Sequence, residues 1–248
     1  MKITVLGGCG AWPAAGQACN GYLVEQEGFH LLIDPGYAVL PRLLEVLDAA
    51  EVDAVLVSHG HPDHCADLHP LLRARALSDA PPAALPVYTL PGAVDAVLAL
   101  DGSGSLRGAY EVRAFEAGDG FDLGPFHVGS WLLPHWVPNA GLRLSAGGSV
   151  LAYTGDSGPS ESLVELARGA DVFLAEATYP TRVPGDAAPY LSSALDTGVT
   201  AARAGVGRLL LTHWWPGTDL ALPEAAARRA FDGPVEVARP GLSVELPG

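Results

Sequence analysis

Three imidazoles and a carboxylate crowd into the six positions of His59-Gly60-His61-Pro62-Asp63-His64. Neutral imidazoles are borderline ligands that suit Zn²⁺, Fe²⁺ or Mn²⁺, and the carboxylate adds a hard oxygen. Gly60 and Pro62 shape a tight turn with little room for apolar packing. A His-rich surface loop is the plain alternative, but the chain holds only eight histidines, and chance would seldom gather three of them here. A short loop cannot complete a metal's coordination by itself, so other histidines and strand-end acids must contribute. His135 follows Trp131-Leu132-Leu133-Pro134, Asp156 stands in Thr154-Gly155-Asp156-Ser157, and His213 follows Leu209-Leu210-Leu211-Thr212. Each sits where an apolar run gives way to a loop, the place from which several strands can aim side chains at one sheet edge. Alone, each reads equally well as an N-cap aspartate or a satisfied surface histidine; beside the loop, they read as further ligands.

The elements that must position these groups follow from hydrophobic period and turn residues. Strands are expected at 3–6, 20–25 and 29–33, an antiparallel opening joined by Gln26-Glu27-Gly28. Leu40, Leu43, Leu44 and Leu47 recur at helical spacing, and the buried strand 54–57 then runs into Ser58-His59. A helix over 68–77, a strand over 87–90 and a helix over 93–100 come next. Strands follow at 111–115, 121–133 with a turn near Gly124-Pro125, 141–145 and 149–153. The second half alternates: helix 160–168, strand 171–175, helix 193–204, strand 208–212, helix 219–230, and short strands near 235 and 243. Two β-rich halves, each followed by helices, predict two packed sheets with helices on both outer faces. The long irregular stretch 179–190 reads as a loop of the kind that faces substrate.

Composition narrows the class. The chain has 248 residues, 49% of them hydrophobic, enough for a large buried core and too many for a disordered protein. No apolar run approaches the roughly 18 residues of a membrane span, so no membrane partner is expected. The opening Met1-Lys2-Ile3-Thr4-Val5-Leu6-Gly7 is too brief for a secretory signal, and a cytoplasmic location is the expectation. A formal charge of −14 disfavours a long nucleic acid. Cys9, Cys19 and Cys65 form no C-x-x-C pair and read as reduced thiols, none of them a nucleophile.

The motif from His59 to His64 resembles the H-x-H-x-D-H signature of the metallo-β-lactamase superfamily, and the resemblance extends from the opening hairpins to Thr212-His213. It implies an α/β fold: an αββα sandwich of two central mixed sheets with helices on both outer faces, in a single domain over residues 1–248. Carried over residue by residue, His59, His61 and His135 would hold one metal and Asp63, His64 and His213 the second, with Asp156 bridging. The implied cofactor is two divalent ions per chain, zinc foremost, with manganese or iron as alternatives. Two ions about 3.5–4 Å apart activate water and polarise a scissile group, so hydrolysis is the expected chemistry.

Within the superfamily the chain looks most like ribonuclease Z and the small phosphodiesterases. The segments Ala175-Glu176-Ala177-Thr178-Tyr179 and Gly207-Arg208-Leu209-Leu210-Leu211-Thr212-His213 support this. It departs at three places, one of them a histidine that ribonuclease Z has shortly before the last long helix, where this chain offers Tyr190. Ribonuclease Z carries a catalytic histidine in His-Glu-Ala-Thr, where this chain has Ala175. Its tRNA-gripping arm lies between the third ligand histidine and the bridging aspartate, where this chain has only two short strands between His135 and Asp156. The expected substrate is therefore a small molecule, a nucleotide or other phosphodiester, 3′,5′-cyclic nucleotides included. An acyl hydrolase acting on a lactone, thioester or β-lactam is the alternative, and a tRNA 3′-processing endonuclease or a scaffold without turnover ranks behind it. Asp63 and Tyr190 are the catalytic candidates, Tyr190 standing in for the missing histidine as proton donor. Trp136, Trp214 and Trp215 each adjoin a ligand, where they either stack a nucleobase or pack. His69 is expected beside the site or on the surface, and His30 and His127 as structural residues. A homodimer is compatible with this reading.

Overall fold

Leucine, valine and isoleucine runs broken by glycine and proline pair into two sheets. The computed structural model describes residues 1–102 and 104–247. The first sheet contains β1 (Lys2–Gly7), β2 (Gly21–Gln26), β3 (Phe29–Ile33), β4 (Ala54–Val57), β5 (Leu85–Thr89) and β6 (Tyr110–Ala114). The second contains β7 (Gly120–Leu123), β8 (Phe126–Leu133), β9 (Asn139–Ala146), β10 (Ser149–Tyr153), β11 (Val172–Glu176), β12 (Arg208–Thr212) and β13 (Val235–Val237). The last strand, β14 (Ser243–Glu245), returns to pair antiparallel with β1. Among the described residues the strand orders are β14-β1-β2-β3-β4-β5-β6 and β13-β12-β11-β10-β9-β8-β7. Both sheets are mixed: β1, β2 and β3 pair antiparallel and β3 to β6 parallel, while β7 to β10 pair antiparallel and β10 to β13 parallel.

The central strands are apolar on both faces because each face meets a different layer, which is why their alternation is hidden in the sequence. In β4, Ala54 and Leu56 face the inter-sheet core, while Val55 and Val57 face an outer cluster. In β11, Val172 and Leu174 point inward, and Phe173 and Ala175 pack under the helices of the opposite flank. The first flank holds α1 (Val39–Leu43), α2 (Pro62–Cys65), α3 (Leu68–Ala76) and α4 (Asp95–Leu98). The second holds α5 (Glu161–Ala167), α6 (Ala194–Ala204) and α7 (Ala221–Ala227). The fold is the αββα sandwich expected from the sequence.

Several elements are shorter than the periodicity implied. The expected helices over 93–100 and 219–230 contract to α4 and α7, and the leucine repeat from 40 to 47 yields α1 followed by turns. One packed apolar turn suffices there, and short helices gain little from extending into solvent. The turn expected near Gly124-Pro125 is present and divides 121–133 into β7 and β8, with Gly124 at a positive φ of 55°. By contrast, α6 nearly matches its expected span. Ser193 and Asp196 form a reciprocal capping box at its start, and Gly205 closes it in the left-handed region.

Candidate metal centre

All seven expected ligands lie at one edge of the sandwich, where strands of both sheets end. Strand β4 runs into Ser58-His59; His61 is the N-cap of α2, with Pro62 in the first turn, so Asp63 and His64 fall inside that single turn. Strand β8 leads to His135, β10 to Asp156 and β12 to His213. Since β8 and β10 each pair antiparallel with β9, they run in the same direction and deliver their ligands to the same end. His213 takes a left-handed φ of 58°, a conformation uncommon for a residue with a β-carbon, which turns its ring back toward the site. Gly10 passes directly beneath that ring, where any β-carbon would collide with it.

The ligand atoms gather in two groups that share Asp156: His59, His61, His135 and Asp156, and Asp63, His64, Asp156 and His213. In the first, His61 Nδ1 lies 3.1 Å from His59 Nε2 and 3.0 Å from His135 Nε2. Asp156 Oδ2 lies 3.8 Å and 3.7 Å from those two Nε2 atoms. In the second, His64 Nε2 is 3.2 Å from Asp156 Oδ1 and 3.6 Å from Asp63 Oδ2. His213 Nε2 is 3.0 Å from Asp156 Oδ2 and 3.3 Å from Asp63 Oδ2. Ligands about 2.0–2.1 Å from a tetrahedral ion stand about 3.4 Å from one another, so both groups have the spacing of a coordination shell.

Hydrogen bonds behind the ligands show where the imidazole protons sit. Asp34, fully buried at the end of β3, accepts from His64 Nδ1 at 2.7 Å, Ser58 Oγ at 2.6 Å, the Ser58 amide at 2.7 Å and the Tyr153 hydroxyl at 2.7 Å. Ser58 Oγ spends its hydrogen on Asp34, so it accepts from His59 Nδ1 at 3.0 Å. His135 Nδ1 donates to the carbonyl of Tyr190 at 3.0 Å. Thr178 Oγ1 donates to Glu176 at 2.6 Å and accepts from His213 Nδ1 at 2.7 Å. Four histidines thereby donate through Nδ1 and aim Nε2 inward, the atom through which a metal would be held. The Nε2 lone pairs of His59 and His135 both face the single Nδ1 of His61, which can donate to only one of them. Asp156 Oδ1 is buried without a hydrogen bond. Crowded imidazole nitrogens and a buried carboxylate oxygen without a hydrogen bond fit divalent cations.

Electrostatics follow the same division. Burial lowers the pKa of His59, His61 and His135, keeping them neutral and ready to ligate. Burial also opposes ionisation of Asp63 and Asp156, but the adjacent His64 and His213 outweigh it and hold both carboxylates below their usual range. Burial disfavours protonation of His213 too, yet Asp156 and Asp63 raise it to about 10. Behind the ligands, burial and the charge of Asp156 push Glu176 up to about 8. Burial raises Cys9 and Cys65 to about 12 and Cys19 higher still, so none supplies a thiolate.

The remaining candidates separate clearly. Tyr190 touches the site through its backbone carbonyl, and its ring packs 5.3 Å from that of Trp136. Trp136 and Trp215 are 52% and 39% exposed, whereas Trp214 is buried and donates its indole N–H to the carbonyl of Ala238. The stacking option considered for Trp214 is thus removed: its ring belongs to the buried cluster of the second flank. His69 lies 3.9 Å from Asp101. His30 bonds the Glu51 carbonyl and His127 pairs with Asp122. Sequence reasoning missed Asp34 and Asn20, whose side-chain amide lies 3.0 Å from His64 Nε2. Asp34 ends an apolar strand in Asp34-Pro35-Gly36, the same strand-end signal that marked Asp156. Asn20 had no such signal.

Comparison with known proteins agrees with this geometry. The family model described as "Beta-lactamase superfamily domain" matches residues 30–214. The probable metallo-hydrolase YhfI of Bacillus subtilis is 31% identical over 98% of both chains, and its crystal structure superposes with a TM-score of 0.89. A ribonuclease Z of Mycobacterium bovis is 31% identical, covering 99% of this chain and 98% of its own. The short form of human tRNase Z shares the fold at 20% identity over the full length of both chains, with a TM-score of 0.79. With two histidine and aspartate clusters sharing one carboxylate, the chain belongs to the metallo-β-lactamase superfamily, close to its ribonuclease Z and phosphodiesterase branch, and is a metal-dependent hydrolase.

Proposed function

We propose that this protein is a phosphodiesterase acting on small nucleotides, 3′,5′-cyclic ones included, with two zinc ions held by the seven ligands and residues 1–248 folded as one domain. The observation that carries it is the pair of clusters joined through Asp156, in a chain that matches a ribonuclease Z over nearly its whole length. The ions, when bound, supply an activated water and neutralise charge on the phosphate. Hydrolysis forms a P–O bond to the water oxygen and breaks the ester P–O bond, so one proton must be taken up and another delivered. Asp63 is suited to the first task, being ionised, oriented by the Ala11 amide at 2.7 Å, and set between His64 and His213. We assign the second to the Tyr190 phenol, which can donate without first being charged. The 179–190 loop that carries it bonds His135 through the Tyr190 carbonyl. The lack of a tRNA-gripping arm and the charge of −14 support exclusion of long nucleic acids, and a cytoplasmic location accords with such substrates.

The decisive experiment assays zinc-loaded protein against cyclic nucleotides, bis-p-nitrophenyl phosphate, nitrocefin, a lactone and precursor tRNA. Phosphodiester turnover should dominate and precursor tRNA should stay intact. Faster hydrolysis of nitrocefin or the lactone would establish the acyl-hydrolase reading instead. For Tyr190, the Tyr190→Phe variant should slow a diester with a poor leaving group at least tenfold and leave a nitrophenyl ester nearly unchanged, since nitrophenolate departs without a proton. Equal rates on both substrates would leave Tyr190 without that role.

A further inference from the structure

The three exposed tryptophans of this chain all stand beside metal ligands, at the two ends of the dinuclear cluster. Trp136 directly follows His135 of the first group, with ring centroids 5.2 Å apart, and Tyr190 lies on its other side. A groove of about 530 Å³ opens along this wall, lined by Leu132, His135, Trp136 and Val137 among others. At the opposite group, Trp215 lies two positions after His213. Trp12 follows Ala11, whose amide is bonded to Asp63. Trp12 and Trp215 meet edge to face at 5.3 Å, and Tyr179 closes on Trp215 at 5.7 Å. Trp12 is 46% exposed, so this second wall, like the first, offers ring surface to solvent. Among the described residues, the polar contacts of the seven ligands are with histidines, carboxylates, hydroxyls, an asparagine and backbone groups, with no arginine or lysine. The ligand shell itself thus brings no arginine or lysine to a substrate phosphate, and these walls offer further affinity.

Resting on the phosphodiesterase reading, we infer that the preferred substrate carries an aromatic base on each side of the scissile phosphate, as a dinucleoside monophosphate does. One base stacks on Trp136 with Tyr190, the other on Trp12 with Trp215, and the single negative charge of the diester sits between them at the ions. Base–aromatic stacking tolerates any base and contributes about tenfold or more in affinity per base. A cyclic mononucleotide occupies only one wall and binds correspondingly less tightly.

The test compares two hydrolysis-resistant ligands of equal charge, with methylene groups in place of the bridging ester oxygens: the analogue of adenylyl-(3′→5′)-adenosine and the analogue of adenosine 3′-methyl phosphate. Affinities are measured by calorimetry on zinc-loaded wild type, Trp136→Ala, and the Trp12→Ala/Trp215→Ala double variant, each first shown to retain two metal equivalents. The two-base ligand should bind at least about tenfold tighter to wild type, and each wall variant should lose about that factor for it. Only one of the two walls should matter for the one-base ligand. Equal affinities for the two ligands, absence of binding included, or wall variants that weaken neither ligand, would overturn the inference. So would wall variants that convert a dimer to a monomer while leaving affinity unchanged, since the walls would then be a contact between copies. Should the expected binding pattern hold while the natural dinucleotide is not cleaved, the phosphodiesterase reading fails and the two-wall site stands. Cleavage of the dinucleotide with an unaltered KM in every wall variant would do the opposite, upholding the phosphodiesterase reading and removing the two-wall site.

Discussion

Asp34 shows how much a single carboxylate outside the ligand set can control. It fixes His64 directly and His59 through Ser58, so it orients one ligand of each metal. Groups that orient metal-binding histidines typically change affinity by about 10–100-fold when replaced. Asp34→Asn keeps the volume but swaps an acceptor for a donor, and should weaken both metals by about that factor. Ser58→Ala should weaken only the ion held by His59. Competition with a chelator, followed by metal analysis of each variant, separates the two outcomes; unchanged metal affinity in Ser58→Ala would mean that Ser58 does not relay the effect. Asp156→Ala removes the shared ligand and should lower the metal content from two equivalents per chain to one or none. Full occupancy in that variant would take Asp156 out of the bridge.

At the scale of elements, the decisive feature is the turn that ends β10. Gly155 adopts a left-handed φ of 56°, and a β-carbon there would overlap Asn139 Oδ1 and press on Ser58. The Asn139 amide in turn donates to the carbonyls of Thr154 at 2.9 Å and Asp156 at 2.6 Å, clamping both sides of the glycine. Gly155→Ala combines a left-handed penalty of about 1–2 kcal/mol with a steric clash. It should therefore lower the melting temperature and displace Asp156. Metal content should fall in step with stability, whereas Gly28→Ala, at a positive φ in open space on the β2–β3 hairpin, should cost stability without touching metal content. Unchanged metal content in Gly155→Ala would show that the turn does not set the ligand's position.

For the whole molecule, pH links metal binding to stability. In the metal-free protein His213 is paired with Asp156 and Asp63, and its pKa is raised from 6.5 to about 10. A raised folded pKa stabilises the fold fully below the unfolded value of about 6.5, and that contribution is lost as pH rises toward 10. In the loaded protein the ion takes the place of that proton, so binding releases it and grows tighter with pH. The difference in melting temperature between zinc-loaded and metal-free protein should thus widen from pH 6.5 to 9. Calorimetric titrations in buffers of differing ionisation enthalpy should register proton release. A gap that stays constant across this range would contradict the protonated state assigned to His213. The charge of −14 works in the same direction, because two divalent ions relieve part of the self-repulsion of the acidic chain.

The ligand set was readable from the sequence because each ligand is a local event: six residues crowded after one strand, and single polar residues where other apolar runs stop. The two-layer sandwich was readable for a related reason, since β-rich halves followed by amphipathic helices have few ways to bury their faces. Element lengths at 93–100 and 219–230 were less legible, because the end of a short helix depends on what it packs against. Tertiary structure alone decided which tryptophan is core and which is wall: Trp214 and Trp215 are adjacent, yet one is buried against Ala238 and the other meets Trp12 and Tyr179. It alone revealed that Tyr190 holds His135 by its backbone, and that Asp34 joins Ser58, His64 and Tyr153. Those hydrogen bonds link residues up to 119 positions apart. A ligand's identity is a property of its own side chain, but its orientation is set by distant groups that no local pattern records.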